Sequence, residues 1–278
     1  MLKVSFQGEH GAYSEQAIKQ YFVDKKIQSV PSKSFSEALN HVAEKTVEYV
    51  MLPIENSVAG SVIPAYDELL KHNLRIQQEV TLKVEHCLMA NKGVDISDIE
   101  LVRSHPQALS QCEANIKRMG LEPKSFVDTA GAAKYIAEKK THNQAAIASE
   151  LAAKTYELDV LSYHFEDESF NHTRFFLLGR KSQQMPFDKA LKYKTSIVFA
   201  TLDKPHALVD VLLCLSDNGI NMTKIESRPS RLKAWDCTFF LDFEGHEDDE
   251  NVQKALLNIL KRTSYLKLLG SYQSQLLF

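Results

Sequence analysis

Asn171-His172-Thr173-Arg174 stands directly before the apolar run Phe175–Leu178. A strand entering a core begins with a turn residue and then alternates or stays apolar. Here a hydroxyl and a guanidinium hold the last positions before burial. Groups so placed at a strand's mouth can face a ligand. Four other junctions between an apolar run and a helical pattern carry similar residues. Gly8-Glu9-His10-Gly11-Ala12-Tyr13-Ser14 offers backbone amides and a small hydroxyl to an anion, or else a tight turn with Ser14 as helix cap. Leu52–Ser61 sets Glu55, Asn56 and Ser57 together, with Ser57 or Ser61 as caps and a solvated Glu55 as the alternative. In Val102–Leu109, Ser104 stands where an N-cap belongs and Pro106 in the first turn, with Gln111 two turns into the helix. Asp128-Thr129-Ala130-Gly131 repeats the form. Hydroxyls, amides and one arginine, without a Ser-His-Asp order or a spaced carboxylate pair, suit anion binding better than hydrolysis. The glycines do not spell GxGxxG, so no dinucleotide fingerprint is present.

Regular alternation positions these residues. Leu2–Phe6 precedes a helical Ser14–Phe22, Glu48–Leu52 precedes Ser61–Leu70, and Glu100–Arg103 precedes Pro106–Met119. The same grammar runs to about residue 160 and predicts an α/β architecture. Gly179–Lys192 is polar, contains Pro186 and lacks apolar periodicity, so it reads as a linker. Beyond it come strand Thr195–Thr201, helix Pro205–Asp217, strands Met222–Ser227 and Asp236–Phe243, helix Asp248–Arg262 and strand Leu266–Tyr272. This is the ferredoxin-like βαββαβ order. The acidic run Glu244–Glu250 is read as first-turn charge that favours the helix dipole.

With 278 residues, 44% of them hydrophobic and 25% charged, the chain can bury two cores. A net charge of -3 without a Lys/Arg stripe gives no footprint for nucleic acid. No segment reaches the ~18 apolar residues of a membrane span, and MLKVSFQGEHG has no apolar leader, so the expectation is a cytoplasmic protein away from membranes. Cys87, Cys112, Cys214 and Cys237 stand far apart with no CxxC, and no HExxH occurs, so no metal site is predicted.

GEHGAYSE, PIENSVAGSV, SHPQALSQC, TAGAA, NHTRFFLLGR and, later, IESRP together resemble the prephenate dehydratase family over nearly the whole chain. The resemblance implies a two-lobed catalytic region over 1–180, like a type 2 periplasmic binding protein. One lobe would be about 1–78 plus 159–180 and the other 79–158. A linker over 181–193 and a regulatory ACT domain over 194–278 would follow. It implies Thr173 as the main catalytic residue with Glu55, Asn56, Ser104 and Gln111. Ser14, Ser57, Thr129 and Arg174 would bind substrate, with a structural place beside Glu55 as the alternative for Arg174. The implied reaction converts prephenate to phenylpyruvate and needs no cofactor.

The same likeness puts a phenylalanine effector at His206, Ala207, Leu208 and Val209, with Asn221, Met222, Glu226, Ser227, Arg228 and Pro229, and implies feedback inhibition. His206 stands where the family has glycine, which puts effector affinity in question. Unpaired sheet edges predict a homodimer or homotetramer. No mutase-sized helical region precedes the first strand, so the expected protein is monofunctional. Two rivals stand beside this reading: an arogenate dehydratase, acting on the amino analogue, and a non-enzymatic two-lobed sensor.

Overall fold

The computed structural model describes residues 1–184, 186–229 and 237–274. The expected strand start at Asp236 and Met185 of the linker lie outside them. The chain opens with β1 (Leu2–Gln7), α1 (Tyr13–Tyr21), β2 (Ile27–Ser32), α2 (Phe35–Ala43), β3 (Tyr49–Asn56), β4 (Gly60–Ser61), α3 (Ile63–Lys71) and β5 (Arg75–Lys83). It continues through β6 (Cys87–Ala90), β7 (Leu101–Ser104), α4 (Pro106–Gln111), α5 (Glu113–Arg118), β8 (Glu122–Ser125), α6 (Thr129–Lys139), β9 (Gln144–Ala148), α7 (Glu150–Tyr156) and β10 (Asp159–Ser162). Then β11 (His172–Gly179) leads to β12 (Tyr193–Thr201), α8 (Ala207–Ser216), β13 (Met222–Pro229), β14 (Cys237–Glu244), α9 (Glu250–Leu260) and β15 (Thr263–Gln273).

Two sheets form the first part. One has the order β2-β1-β3-β11-β5, with β4 paired to β3, and the other β10-β6-β9-β7-β8. In the first, β1 lies parallel to both β2 and β3, as helical crossovers require. Its strands bury Val4, Phe6, Met51, Phe175 and Leu177 against Ile18 and Phe22 of the α1 segment. The second sheet buries residues on both faces, Val102 and Ile147 on one and Met89 and Ala146 on the other. Burial on both faces explains why these strands read as continuous apolar runs. The chain crosses back late: β10 pairs antiparallel with β6 at the edge of the second sheet, so residues 159–162 belong there and β11 alone returns to the first.

The helix expected over Pro106–Met119 is two helices. Cys112 has φ -119°, and its N–H bonds back to Leu109 O rather than continuing the helical ladder. The Asp167 carboxylate takes the N–H groups of Ala114 and Asn115, which starts α5 afresh.

A second compact unit contains Leu74–Glu79 and the chain from Leu178 onward. Its sheet has the order β13-β14-β12-β15, with α8 and α9 packing Val211, Leu215, Val252 and Ile259 on Ile197, Leu241 and Phe243. That is the ferredoxin-like βαββαβ fold, and β13 is an edge strand. His206 takes φ 66° at the head of α8, a left-handed conformation that glycine adopts freely and an imidazole-bearing residue at a cost of about 1–2 kcal/mol.

Candidate active site

A cleft of about 230 Å³ in the first unit gathers residues from every junction noted in the sequence. Ser14, Asn56, Gln111, Thr129 and Thr173 line it, together with Tyr13, His86, His105, Gln107 and Asp128. No Lys or Arg is among its described lining residues. An anion there would be met by neutral donors and helix ends. The head of α1 suits this, because its N-cap is Ala12 and no side chain caps it.

Several expected residues sit elsewhere. Ser14 is not the cap but lies in the first turn of α1, buried to 7% exposure and turned to the cleft. Ser104 is fully buried and donates to Ile147 O at 2.6 Å, so it ties β7 to β9; His105 caps α4 instead, accepting from Gln107 N. Ser57 donates to Phe170 O and accepts from His172 N, while the N-cap of α3 is Val62, which offers no side-chain hydrogen bond. Arg174 lies 3.8 Å from Glu55 and over the ring of Phe176, and neither charged residue lines the cleft.

What does converge is a set of hydrogen bonds around Thr173. Asn56 Nδ2 donates to Thr173 Oγ1 at 3.0 Å and to Asn171 Oδ1 at 2.6 Å. The Asn56 Oδ1 accepts from the backbone N–H of Val58 and Ala59 at 3.1 and 2.9 Å, which settles the amide's orientation. Thr173 Oγ1 therefore accepts, and its proton is left for the cleft. Tyr13 and His86, 2.7 Å apart, and Gln107 had drawn no role from the sequence. Tyr13 lies in GEHGAYSE and Gln107 in SHPQALSQC, whereas His86 sits in the short connection between β5 and β6, where a single imidazole is the one sequence signal.

The Gly8–Ser14 loop is anchored by Glu15, 4% exposed. Burial would raise the pKa of this carboxyl, but hydrogen bonds from Ser29 and the Gly11 N–H, Lys19's charge and the His10 bond outweigh it and hold the pKa below its usual value. A folded value under the unfolded ~4.3 means stability that is full above that pH and lost as pH falls through the folded value. Glu15→Gln should flatten the loss of melting temperature between about pH 5 and 3. An unchanged acid limb in a thermal melt series would show that Glu15 does not supply it.

Residues 4–183 match the family model described as prephenate dehydratase, and residues 195–261 match that of the ACT domain. The chain belongs to the prephenate dehydratase family. Arogenate dehydratase/prephenate dehydratase 2, chloroplastic, of Arabidopsis thaliana is 43% identical over 98% of this chain and 72% of its own length. A prephenate dehydratase from Arthrobacter aurescens, solved in complex with L-Phe, is 29% identical with a TM-score of 0.89, covering 98% of this chain and 90% of that one. A structure described as GqqA, a novel type of quorum quenching acylase, is 32% identical with a TM-score of 0.90, covering 98% of both chains. The expectation of a cytoplasmic protein does not stand against these relatives, since Arabidopsis family members are described as chloroplastic. That expectation rested on the composition of the opening residues, which does not report the compartment.

Proposed function

We propose that this dehydratase-family chain converts prephenate to phenylpyruvate through a catalytic region over 1–180, joined by 181–193 to an ACT unit that L-phenylalanine engages to inhibit it. The observation that carries the reading is the Thr173 hydroxyl in the cleft, with Asn56 Nδ2 occupying its acceptor side. In prephenate the bond to the ring carboxylate breaks and its electron pair enters the ring. The C–O bond at the opposite carbon breaks in turn, so carbon dioxide and hydroxide leave an aromatic ring. Hydroxide departs as water once it gains a proton. A donor aimed at the leaving oxygen is the central requirement, and Thr173 supplies it as a hydrogen bond. A threonine hydroxyl is too weak an acid for unaided proton release, so polarisation is its role. The unspent amides at the head of α1 and the Ser14 hydroxyl suit a substrate carboxylate. Glu55, Ser104, Ser57 and Arg174 act one layer behind: Ser104 holds β7 to β9, and Glu55 and Arg174 steady the strands that carry Asn56 and Thr173.

Arogenate is the second reading, favoured by the names of the Arabidopsis and Petunia relatives. Asp128, the carboxylate in the cleft wall, would suit its ammonium group. An acylase reading, suggested by GqqA, would need an activated nucleophile, and Thr173 Oγ1 is held by an amide nitrogen rather than a base. Regulation by phenylalanine is supported by the Arthrobacter relative's ligand and by the placing of Ala207, Leu208 and Val209 on the first turn of α8. Asn221 precedes the edge strand β13, which carries Met222, Glu226, Ser227, Arg228 and Pro229. An edge strand of that sheet supports a homodimer or a dimer of dimers.

The test is phenylpyruvate formation from prephenate and phenylalanine formation from arogenate by the purified chain, with and without added phenylalanine. We expect prephenate turnover that phenylalanine suppresses. Turnover of arogenate alone would transfer the activity to the second reading, and none with either substrate would sink both.

A further inference from the structure

Tyr13, His86, Gln111, Asn171 and Asn56 form a line of hydrogen bonds that ends at Thr173, and the backbone fixes the sense of each. The main-chain N–H groups of Val58 and Ala59 hold Asn56 Oδ1, so Asn56 Nδ2 faces Asn171 Oδ1. Asn171 Oδ1 is thereby an acceptor, and its Nδ2 donates to Gln111 Oε1 at 3.1 Å. The same Gln111 Oε1 lies 2.9 Å from His86 Nε2. An amide oxygen cannot donate, so His86 must carry its proton on Nε2. His86 is 2% exposed, and burial lowers its pKa against the opposing effects of Gln111 and Glu166, so the ring is neutral and Nδ1 bears a lone pair. Tyr13 O–H, 2.7 Å away, donates to that lone pair, with Glu85 O at 2.9 Å as a second branch. Gln111 Nε2 is left buried without an acceptor among the described residues, although Gln111 lines the cleft.

We propose that His86 is a positioning residue. With Nδ1 held by the Tyr13 hydroxyl, its Nε2–H fixes the Gln111 amide with the nitrogen available to substrate, closing from the His86 end the line that the backbone of Val58 and Ala59 anchors at Asn56 and Thr173. A neutral histidine does this because its two nitrogens play opposite parts. The wrong tautomer would set Nε2 and Gln111 Oε1 as two acceptors against each other, and the amide would turn over to relieve them.

The experiment is ¹⁵N NMR of the histidine ring in the full chain, paired with steady-state kinetics of Tyr13→Phe. The wild-type ring should show a protonated Nε2 and a pyridine-like Nδ1 at neutral pH. Tyr13→Phe, which removes only the donor oxygen, should let both tautomers appear and lower kcat about 10-fold, with KM within about 2-fold; a wholly misplaced group would cost ~100-fold. A wild-type ring protonated at Nδ1, or on both nitrogens, overturns the proposal. So does Tyr13→Phe with full turnover, or with lost turnover and an unchanged tautomer, which would make Tyr13 a direct substrate contact instead. The wild-type tautomer is read without a variant, so misfolding of Tyr13→Phe would not remove the test. The kinetic arm rests on the dehydratase reading and the ring spectrum does not, so failure of one is distinct from failure of the other.

Discussion

Thr173→Ala should lower turnover by about 100- to 1000-fold while leaving the protein folded, the range found when one donor to a developing charge is removed. The loss should fall on kcat, because the leaving oxygen gains its negative charge only as the C–O bond breaks, and a hydrogen bond to it strengthens at that moment. The fold should tolerate the change. Thr173 contributes one accepted bond, and Asn56 Nδ2 keeps Asn171 Oδ1 and His172 O as partners. The expected stability cost is about 1 kcal/mol. Thr173→Ser retains the oxygen and should keep most activity, whereas Thr173→Val keeps the shape and should behave like alanine. Near-wild-type kcat in Thr173→Ala, with either substrate, would remove Thr173 from the chemistry.

Which of two neighbouring polar residues faces the cleft was the part of the site least legible beforehand. Alternate residues on a strand point to opposite faces. Thr173 and Phe175 line the cleft, whereas Arg174 lies over Phe176, two positions on, and beside Glu55. Of the neighbouring pair Glu55 and Asn56, Asn56 lines the cleft and Glu55 does not. With both faces of β11 buried from Phe175 onward, no polar alternation betrayed that parity. The junctions themselves were legible, since a polar cluster between an apolar run and a helical period is a local signal, and so was the βαββαβ unit. The break at Cys112 was not, because its cause is Asp167, more than fifty residues along the chain. His86 and Tyr13 escaped for the same reason: they are neighbours across the fold, 73 positions apart in sequence.

The loop that delivers Tyr13 and Ser14 depends on one residue without a side chain. Gly11 has φ 88°, and a Cβ built on it would lie 2.6 Å from Ala152 Cα and 2.9 Å from Ala152 Cβ, on α7. Backbone cannot yield as a long side chain can. Ser149 Oγ donates to Gly11 O at 2.6 Å and Tyr156 OH to His10 O at 2.7 Å, so the loop is pinned against that helix on either side of the contact. Gly11→Ala should therefore add an overpacking cost of about 1–3 kcal/mol to a left-handed backbone cost of about 1–2 kcal/mol, roughly 3 kcal/mol together. For a unit of this size, melting should fall by about 6–12 °C. Gly120 separates the two costs, having φ 67° and nothing within 4 Å of its added Cβ. Gly120→Ala should show the backbone cost alone and keep its activity. In Gly11→Ala the fraction that still folds should turn over substrate slowly, because relief of the clash lifts the loop and moves Tyr13 away from His86. Equal melting temperatures for the two variants would mean that the loop does not dock on α7 as closely as the geometry requires.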